Sequence, residues 1–189
     1  MNAADRRRAS LEDLERAGGR DMPVRVVAYD PGWPAAFEGE RARLAPLLEG
    51  AEIHHIGSTA VPGLAAKPII DMITVVDSFE LPIARLVADA GYQYPRAFNA
   101  TLKKRRFLCY PRSDWRTHHM HLIDDPDELT RYLRFRDRLR ADPALARQYE
   151  TLKRELAERH RHDREAYTEG KSDFVTLHER QGAAAEPAS

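Results

Sequence analysis

The sequence predicts an α+β fold: a short β-sheet with packed helices over the first two thirds, then a helical C-terminal portion. Three observations carry this. Ile69 to Val76 is a continuous β-branched run containing one carboxylate, Asp71, which reads as a buried strand. Arg106 to Tyr110 and Thr117 to Ile123 are two further strand-like runs, joined by the turn-forming Pro111-Arg112-Ser113-Asp114. From Asp125 the texture changes, and two matched pairs, Asp125-Pro126 and Asp142-Pro143, each place an N-cap residue before a proline at the first helical position.

Taken in order, residues 1–23 are polar and Arg-rich, with one weak helical stretch over Ser10 to Ala17, and are expected to form a flexible N-terminal arm. Val24 to Ala28 reads as an edge strand. Asp30-Pro31-Gly32 is turn chemistry, and Pro34 suits the first turn of a helix that brings Phe37, Leu44, Leu47 and Leu48 near one face and ends at Gly50. Glu52 to Ile56 reads as a strand ending in Gly57-Ser58. The connection Thr59 to Pro68 has room for about one helical turn. Glu80 to Ala90 reads as a helix ended by Gly91. After the two later strands, one amphipathic helix carries Leu129, Tyr132, Leu133, Arg136 and Leu139, and the next carries Leu145, Tyr149, Leu152 and Leu156 at helical spacing. A last helical piece, Arg164 to Arg180, is interrupted at Gly170. Gln181 to Ser189 is an Ala/Pro/Ser tail, expected to be disordered. The expected organisation is one domain over 24–180, helical from about 125, without repeats or heptads.

The composition limits the function classes. A chain of 189 residues and 21.6 kDa suits one domain able to bury a real core. Its 30 cations balance 30 anions, which argues against non-specific binding to a polyanion, so nucleic acid is not the favoured partner. No apolar run approaches ~20 residues, so no membrane span is expected. The single cysteine, Cys109, excludes an internal disulfide and a Cys-built zinc site; with no apolar leader in the first 25 residues, the expected setting is cytoplasmic. Only five of the cations are lysines: Lys67, Lys103, Lys104, Lys153 and Lys171. Against an Arg-rich background each is more informative than an arginine. Between Lys103 and Arg116, six cations face one anion, Asp114.

The sharpest chemical feature is His55-Ile56-Gly57-Ser58 followed by Asp71. A strand ending in Gly-Ser presents backbone N–H groups and a hydroxyl at a turn, a seat for an anion. A carboxylate inside the next apolar strand is costly unless paired or bound to a cation. Together they form half of a metal–triphosphate site.

The stretch His55-Ile56-Gly57-Ser58-Thr59-Ala60-Val61-Pro62-Gly63-Leu64-Ala65-Ala66-Lys67-Pro68-Ile69-Ile70-Asp71 resembles the signature of the GrpB family, which also occurs fused to some bacterial dephospho-CoA kinases. Tyr29-Asp30-Pro31-Gly32-Trp33, Arg116-Thr117-His118-His119-Met120-His121-Leu122 and Tyr167-Thr168-Glu169-Gly170-Lys171-Ser172-Asp173-Phe174 resemble it too, so the likeness runs from about Val24 to Arg180. The resemblance implies the nucleotidyltransferase fold, a short mixed sheet with packed helices and a C-terminal helical portion. It also implies metal-dependent transfer of a nucleotidyl group from a nucleoside triphosphate. The wider nucleotidyltransferase pattern has two carboxylates one residue apart on the strand after Gly-Ser. With Asp71 as the second, Ile69 stands at the first, and the strand expected to supply a third reads His119-Met120-His121.

The expected site follows. Asp71 and Lys67 are the candidate catalytic residues. Gly57, Ser58, Thr59, Lys67, Arg105, Arg106, Arg116 and Lys171 are candidates for holding a nucleotide or phosphate. Asp71, His119 and His121 are candidates for a divalent metal, Mg²⁺ or Mn²⁺; imidazole ligands favour Mn²⁺ or Zn²⁺ over Mg²⁺. On a strand His119 and His121 share a face and His118 points the other way. Lys67 before Pro68 sits in a constrained extended segment. The expected ligand is a nucleoside triphosphate or another phosphorylated small molecule. The alternative is a catalytically inactive nucleotide-binding or regulatory module of the same fold, with a protein partner on the C-terminal helices.

Overall fold

The computed structural model describes residues 23–180. The expected N-terminal arm, apart from Pro23, and the tail 181–189 lie outside the described residues. The first helix, α1 (Trp33–Leu44), tightens into a 3₁₀ turn at Ala45–Leu48, where Pro46 lacks the N–H an α-helix would use. Glu49 and Gly50, both at positive φ, end it.

Four strands form one mixed sheet: β1 (His54–Ile56), β2 (Ile70–Val75), β3 (Arg105–Pro111) and β4 (Arg116–Ile123), in the order β1-β2-β4-β3. β1 is antiparallel to β2 and β3 to β4, whereas β2 and β4 are parallel. The chain crosses between β2 and β4 through α2 (Glu80–Ala88), the short α3 (Arg96–Ala100) and β3. The fold class is therefore the expected α+β one.

Two local expectations are corrected. Val24 to Ala28 does not form an edge strand; a single bridge joins Val27 to Ala66. Pro68, which would be opposite Arg25, cannot donate to a ladder, and on the other side Leu64 N is taken by Val61 O in a turn, so pairing stops after one residue. The unexpected helix α3 exists because Asn99 completes the outer edge of β3: its side chain accepts from Phe107 N at 2.7 Å and donates to Phe107 O at 2.8 Å.

Alternation sorts the sheet residues onto two faces. Met72, Leu108, Met120 and Leu122 pack under α1 and α2 with Trp33, Phe37, Leu44 and Leu86. Ile56, Ile73 and Ile123 face α4 (Pro126–Ala141), meeting Leu129, Tyr132 and Leu133. Asp71, His119 and His121 alternate with the first set and so lie on the α4 face.

Both Asp-Pro caps form: Asp125 Oδ1 accepts from Asp127 N, and Asp142 Oδ1 from Ala144 N and Leu145 N, opening α5 (Pro143–Arg159). α6 (Arg164–Glu169) and α7 (Ser172–Arg180) follow, divided at Gly170 as expected. The helices are not a separate cap. Val61 and Leu64, from the connection after β1, share a cluster with Leu139, Leu145 and Tyr149, while Val24 packs with Leu156, Ala157 and Tyr167. The stripes of α4 and α5 are thus used inside the molecule. No helix among the described residues is long and apolar enough to cross a membrane.

Candidate functional site

The site forms where β1 ends, beside the start of β2. Ile56 is opposite Asp71 in the antiparallel pair, and Asp71 is opposite His119 in the parallel pair. The carboxylate is thus flanked on one side by the turn leaving β1 and on the other by the imidazole strand. The turn needs glycine on two counts. Gly57 has φ +73, and a β-carbon there would lie 2.6 Å from Asp71 Oδ2. Its backbone can therefore rest directly against the carboxylate. The chain then turns through a single 3₁₀ turn, Ser58–Ala60.

His119 Nδ1 donates to Asp71 Oδ1 at 2.8 Å. His121 lies one step along the same face, its ring 6.4 Å from that of His119. Phe107 packs against both rings, and Tyr132 from α4 lies over His121. Burial pushes both imidazoles below their ordinary value, His121 to about 3. For Asp71 burial acts in the opposite sense, but the His119 hydrogen bond and the charges around it, Lys67 among them, outweigh burial and hold the carboxyl at about 2. The site therefore offers an ionised carboxylate beside neutral imidazoles, the protonation states a metal ion requires.

The side-chain chemistry fits a divalent cation. One ligand atom from each of Asp71, His119 and His121 lies within 4.8 Å of the others, the one such grouping among the described residues. His119 Nε2 and His121 Nδ1 are buried without a hydrogen-bond partner, which is costly for free imidazole; ligation of a cation would satisfy both. Two nitrogens and one oxygen suit Zn²⁺ or Mn²⁺ better than Mg²⁺.

The other expected residues divide. Lys67, on the connection into β2, places Nζ 4.9 Å from the Tyr167 ring centroid and within the field of Asp71. Lys171, at the α6–α7 junction, places Nζ 4.5 Å from the same ring. Arg116 lies over Phe107 on the Asp71 face, and its charge reaches His119 and Lys67. Arg105 donates to the Tyr132 hydroxyl at the rim beyond His121. Ser58 lies next to the buried Tyr149 phenol of α5. The Thr59 hydroxyl is buried and engaged, donating to Ile69 O at 3.1 Å and accepting from His55 Nε2 at 3.0 Å, so its side chain closes the connection rather than facing a ligand.

Arg106 is a correction to the expected wall. It is opposite Leu122, on the α1/α2 face, and stacks on Phe79 at 4.5 Å. Strand alternation sends Arg105 and Arg106 to opposite faces, so only Arg105 is on the site's face.

Sequence reading missed three contributors. Tyr167 is the floor under two ammonium groups. Arg164 adds positive charge near Lys67. Lys153, 2% exposed, donates from Nζ to Ala65 O in the connection that carries Lys67, while Glu150 Oε2 accepts from Ala65 N at 3.2 Å. The scarcity of lysine was the available signal for Lys153.

The comparisons agree with this architecture. The GrpB protein family model matches residues 23–181. Over 162 residues the chain is 44% identical to a UPF0157 protein of Pseudomonas aeruginosa, covering 82% of this chain and 66% of that one. It is 37% identical over 158 residues to the UPF0157 protein YqkA of Bacillus subtilis, covering 80% of this chain and 45% of that one. The match thus spans about two thirds of the first relative and under half of the second. A crystal structure of the conserved protein GrpB from Enterococcus faecalis superposes with a TM-score of 0.72 at 38% identity, covering 83% of this chain and 96% of that chain. The chain belongs to the GrpB family.

Proposed function

We propose that this chain binds a nucleoside triphosphate with a divalent cation and transfers its nucleotidyl group to an acceptor. The observation that carries the reading is the contact between Gly57 and Asp71, which sets the turn backbone after β1 against the carboxylate of the Asp71-His119-His121 cluster. In this reading the amides of the turn would take phosphate beside the side chains that take the cation. Asp71, His119 and His121 would hold the cation, which supplies charge neutralisation at phosphate oxygens. The Gly57-Ser58 turn orients the phosphate chain, and Lys67 and Arg116 offset its charge. An acceptor oxygen bonds to the α-phosphorus, the bond to the bridging oxygen breaks, pyrophosphate leaves, and the acceptor's proton passes to water. Positioning is the main source of rate.

One observation favours a second reading, nucleotide binding without transfer. Ile69 stands where the wider pattern has a carboxylate, leaving Asp71 as the acid of the cluster. Titrating the full chain with a panel of nucleoside triphosphates in Mn²⁺, and assaying pyrophosphate release, separates the two. Release above background that is lost in Asp71→Asn supports transfer. Binding without release supports the second reading. Failure of every triphosphate to bind, with or without Mn²⁺, rejects both.

A further inference from the structure

Two of the five lysines bring their ammonium groups to one aromatic ring. Lys67 Nζ and Lys171 Nζ lie 4.9 Å and 4.5 Å from the centroid of Tyr167, a residue only 1% exposed. They come from distant parts of the chain: Lys67 from the connection into β2, Lys171 from the α6–α7 junction. Gly170, at that junction, packs against α5. A β-carbon there would lie 2.5 Å from Leu156 Cδ2 of α5.

This arrangement is electrostatically incomplete. Like charges gathered on one ring repel, and partial burial strengthens the repulsion. The ring face recovers part of that cost. Among the described residues, neither ammonium group has a hydrogen-bond or ion-pair partner. Arg164 and Arg116 add positive charge at Lys67, and Lys153 and Lys171 repel each other. The carboxylate acting on both ammonium groups is Asp71, already bonded to His119. Both residues are half-buried rather than sealed in the core.

We infer that Lys67, Lys171 and the Tyr167 ring form a seat for the pyrophosphate end of a condensed phosphate. The sheet-side connection and the C-terminal helices build it jointly. The inference rests on the nucleotidyl reading in assigning this seat to the β- and γ-phosphates of the same triphosphate. A condensed phosphate concentrates several negative charges in a compact body and matches the local excess; a single carboxylate would leave most of it unmatched. Ammonium groups act as point charges that serve several phosphate oxygens at once, so the seat needs neither a base nor a ribose. It takes inorganic pyrophosphate alone, without metal.

The test is calorimetric titration of the full chain with inorganic pyrophosphate in the presence of a chelator. The native chain is expected to bind, Lys171→Met to lose about tenfold or more in affinity, Lys171→Arg to keep most of it, and Arg147→Met, a surface charge on α5, to match the native chain. If Lys171→Met is unfolded by circular dichroism, Lys67→Met is read in its place. Equal pyrophosphate affinity in the native and Lys171→Met chains overturns the inference. A native chain that binds a nucleoside triphosphate with Mn²⁺ but not pyrophosphate alone overturns the seat and leaves the nucleotidyl reading standing. Lys171-dependent pyrophosphate binding in a chain that binds no nucleoside triphosphate keeps the seat and rejects that reading.

Discussion

Gly57 and Asp71 are in contact across the β1–β2 pair so closely that a β-carbon on Gly57 would lie 2.6 Å from Asp71 Oδ2 and 3.2 Å from Asp71 Cβ. The glycine therefore serves both the turn and the carboxylate. Its φ of +73 with ψ of −173 is a backbone region that side-chain-bearing residues avoid. Gly57→Ala is expected to cost about 1–3 kcal/mol of stability for the backbone alone. It should also displace Asp71 and abolish nucleotide binding. Chemical denaturation checks the first outcome and calorimetry the second. A variant with native stability and native binding would refute the contact's importance.

The imidazole pair makes a prediction about metal preference. Stability against heat is expected to rise with Zn²⁺ or Mn²⁺ at concentrations where Mg²⁺ has little effect, since two imidazoles favour the softer ions. His121→Ala should lower the affinity for those ions by at least about tenfold, the scale already seen when only a supporting partner of a metal ligand is lost. Thermal unfolding with each ion, before and after the substitution, measures both. An equal response to Mg²⁺, or an unchanged response in His121→Ala, would count against the cluster as a metal site.

Asn99 is 4% exposed and takes the place of a strand partner for Phe107, with both ends of its amide used. Asn99→Ala leaves a buried N–H and a buried carbonyl of β3 unpaired. Each unpaired group costs ~1–3 kcal/mol, so a loss of about 2–6 kcal/mol is expected. Urea denaturation with an unchanged slope would show it, and a loss below about 1 kcal/mol would mean that water replaces the amide.

Much of the fold could be read from local chemistry. The proline-flanked caps at Asp125 and Asp142 form as expected, and the break at Gly170 divides the last helices. Period-two alternation placed His119 and His121 on one face. That this face also carries Asp71 depends on the parallel register of β2 and β4, a tertiary fact with no local signature. The same limit explains Arg106: two adjacent arginines are equivalent as a run of charge, but strand alternation sends one of them to the opposite face. The short helix α3 depends on Asn99 reaching residues eight positions away, and the Val24–Ala28 segment failed as a strand because its neighbour could not continue the ladder. For the site, motif reading found the turn, the carboxylate and the imidazoles. It did not find the floor. In the sequence Tyr167 stands only as the first residue of a family-like stretch, and Lys153 only as one of five scarce lysines; their places in the site appear when α5 and α6 pack against the connection from β1.

Lys153 makes a pH prediction with a definite sign. Its ammonium is buried, donates to Ala65 O and lies over the Tyr149 ring, and burial first, then the Lys171 charge, lower its pKa from the ordinary 10.5 to about 7. In the unfolded chain the group holds its proton up to about 10.5, whereas the folded chain releases it from about 7. Between those limits the unfolded state binds more protons, so stability rises with pH. Below about 7 both states are protonated and the full cost of burying the charge remains. Lys171, lowered to about 8 by burial and by Lys67, adds a smaller rise of the same sign. Lys153→Met keeps the stem and removes the charge. It is expected to flatten the rise in unfolding free energy between pH 7 and 10, leaving the part due to Lys171 and Lys67, which burial also lowers, and to narrow the deficit at pH 6 against the ~1–3 kcal/mol cost of leaving Ala65 O unpaired. Urea denaturation of native and variant chains at one-unit steps from pH 6 to pH 10 measures the two slopes. Parallel curves would show that Lys153 stays protonated throughout, held by Ala65 O and the Tyr149 ring against the cost of burial.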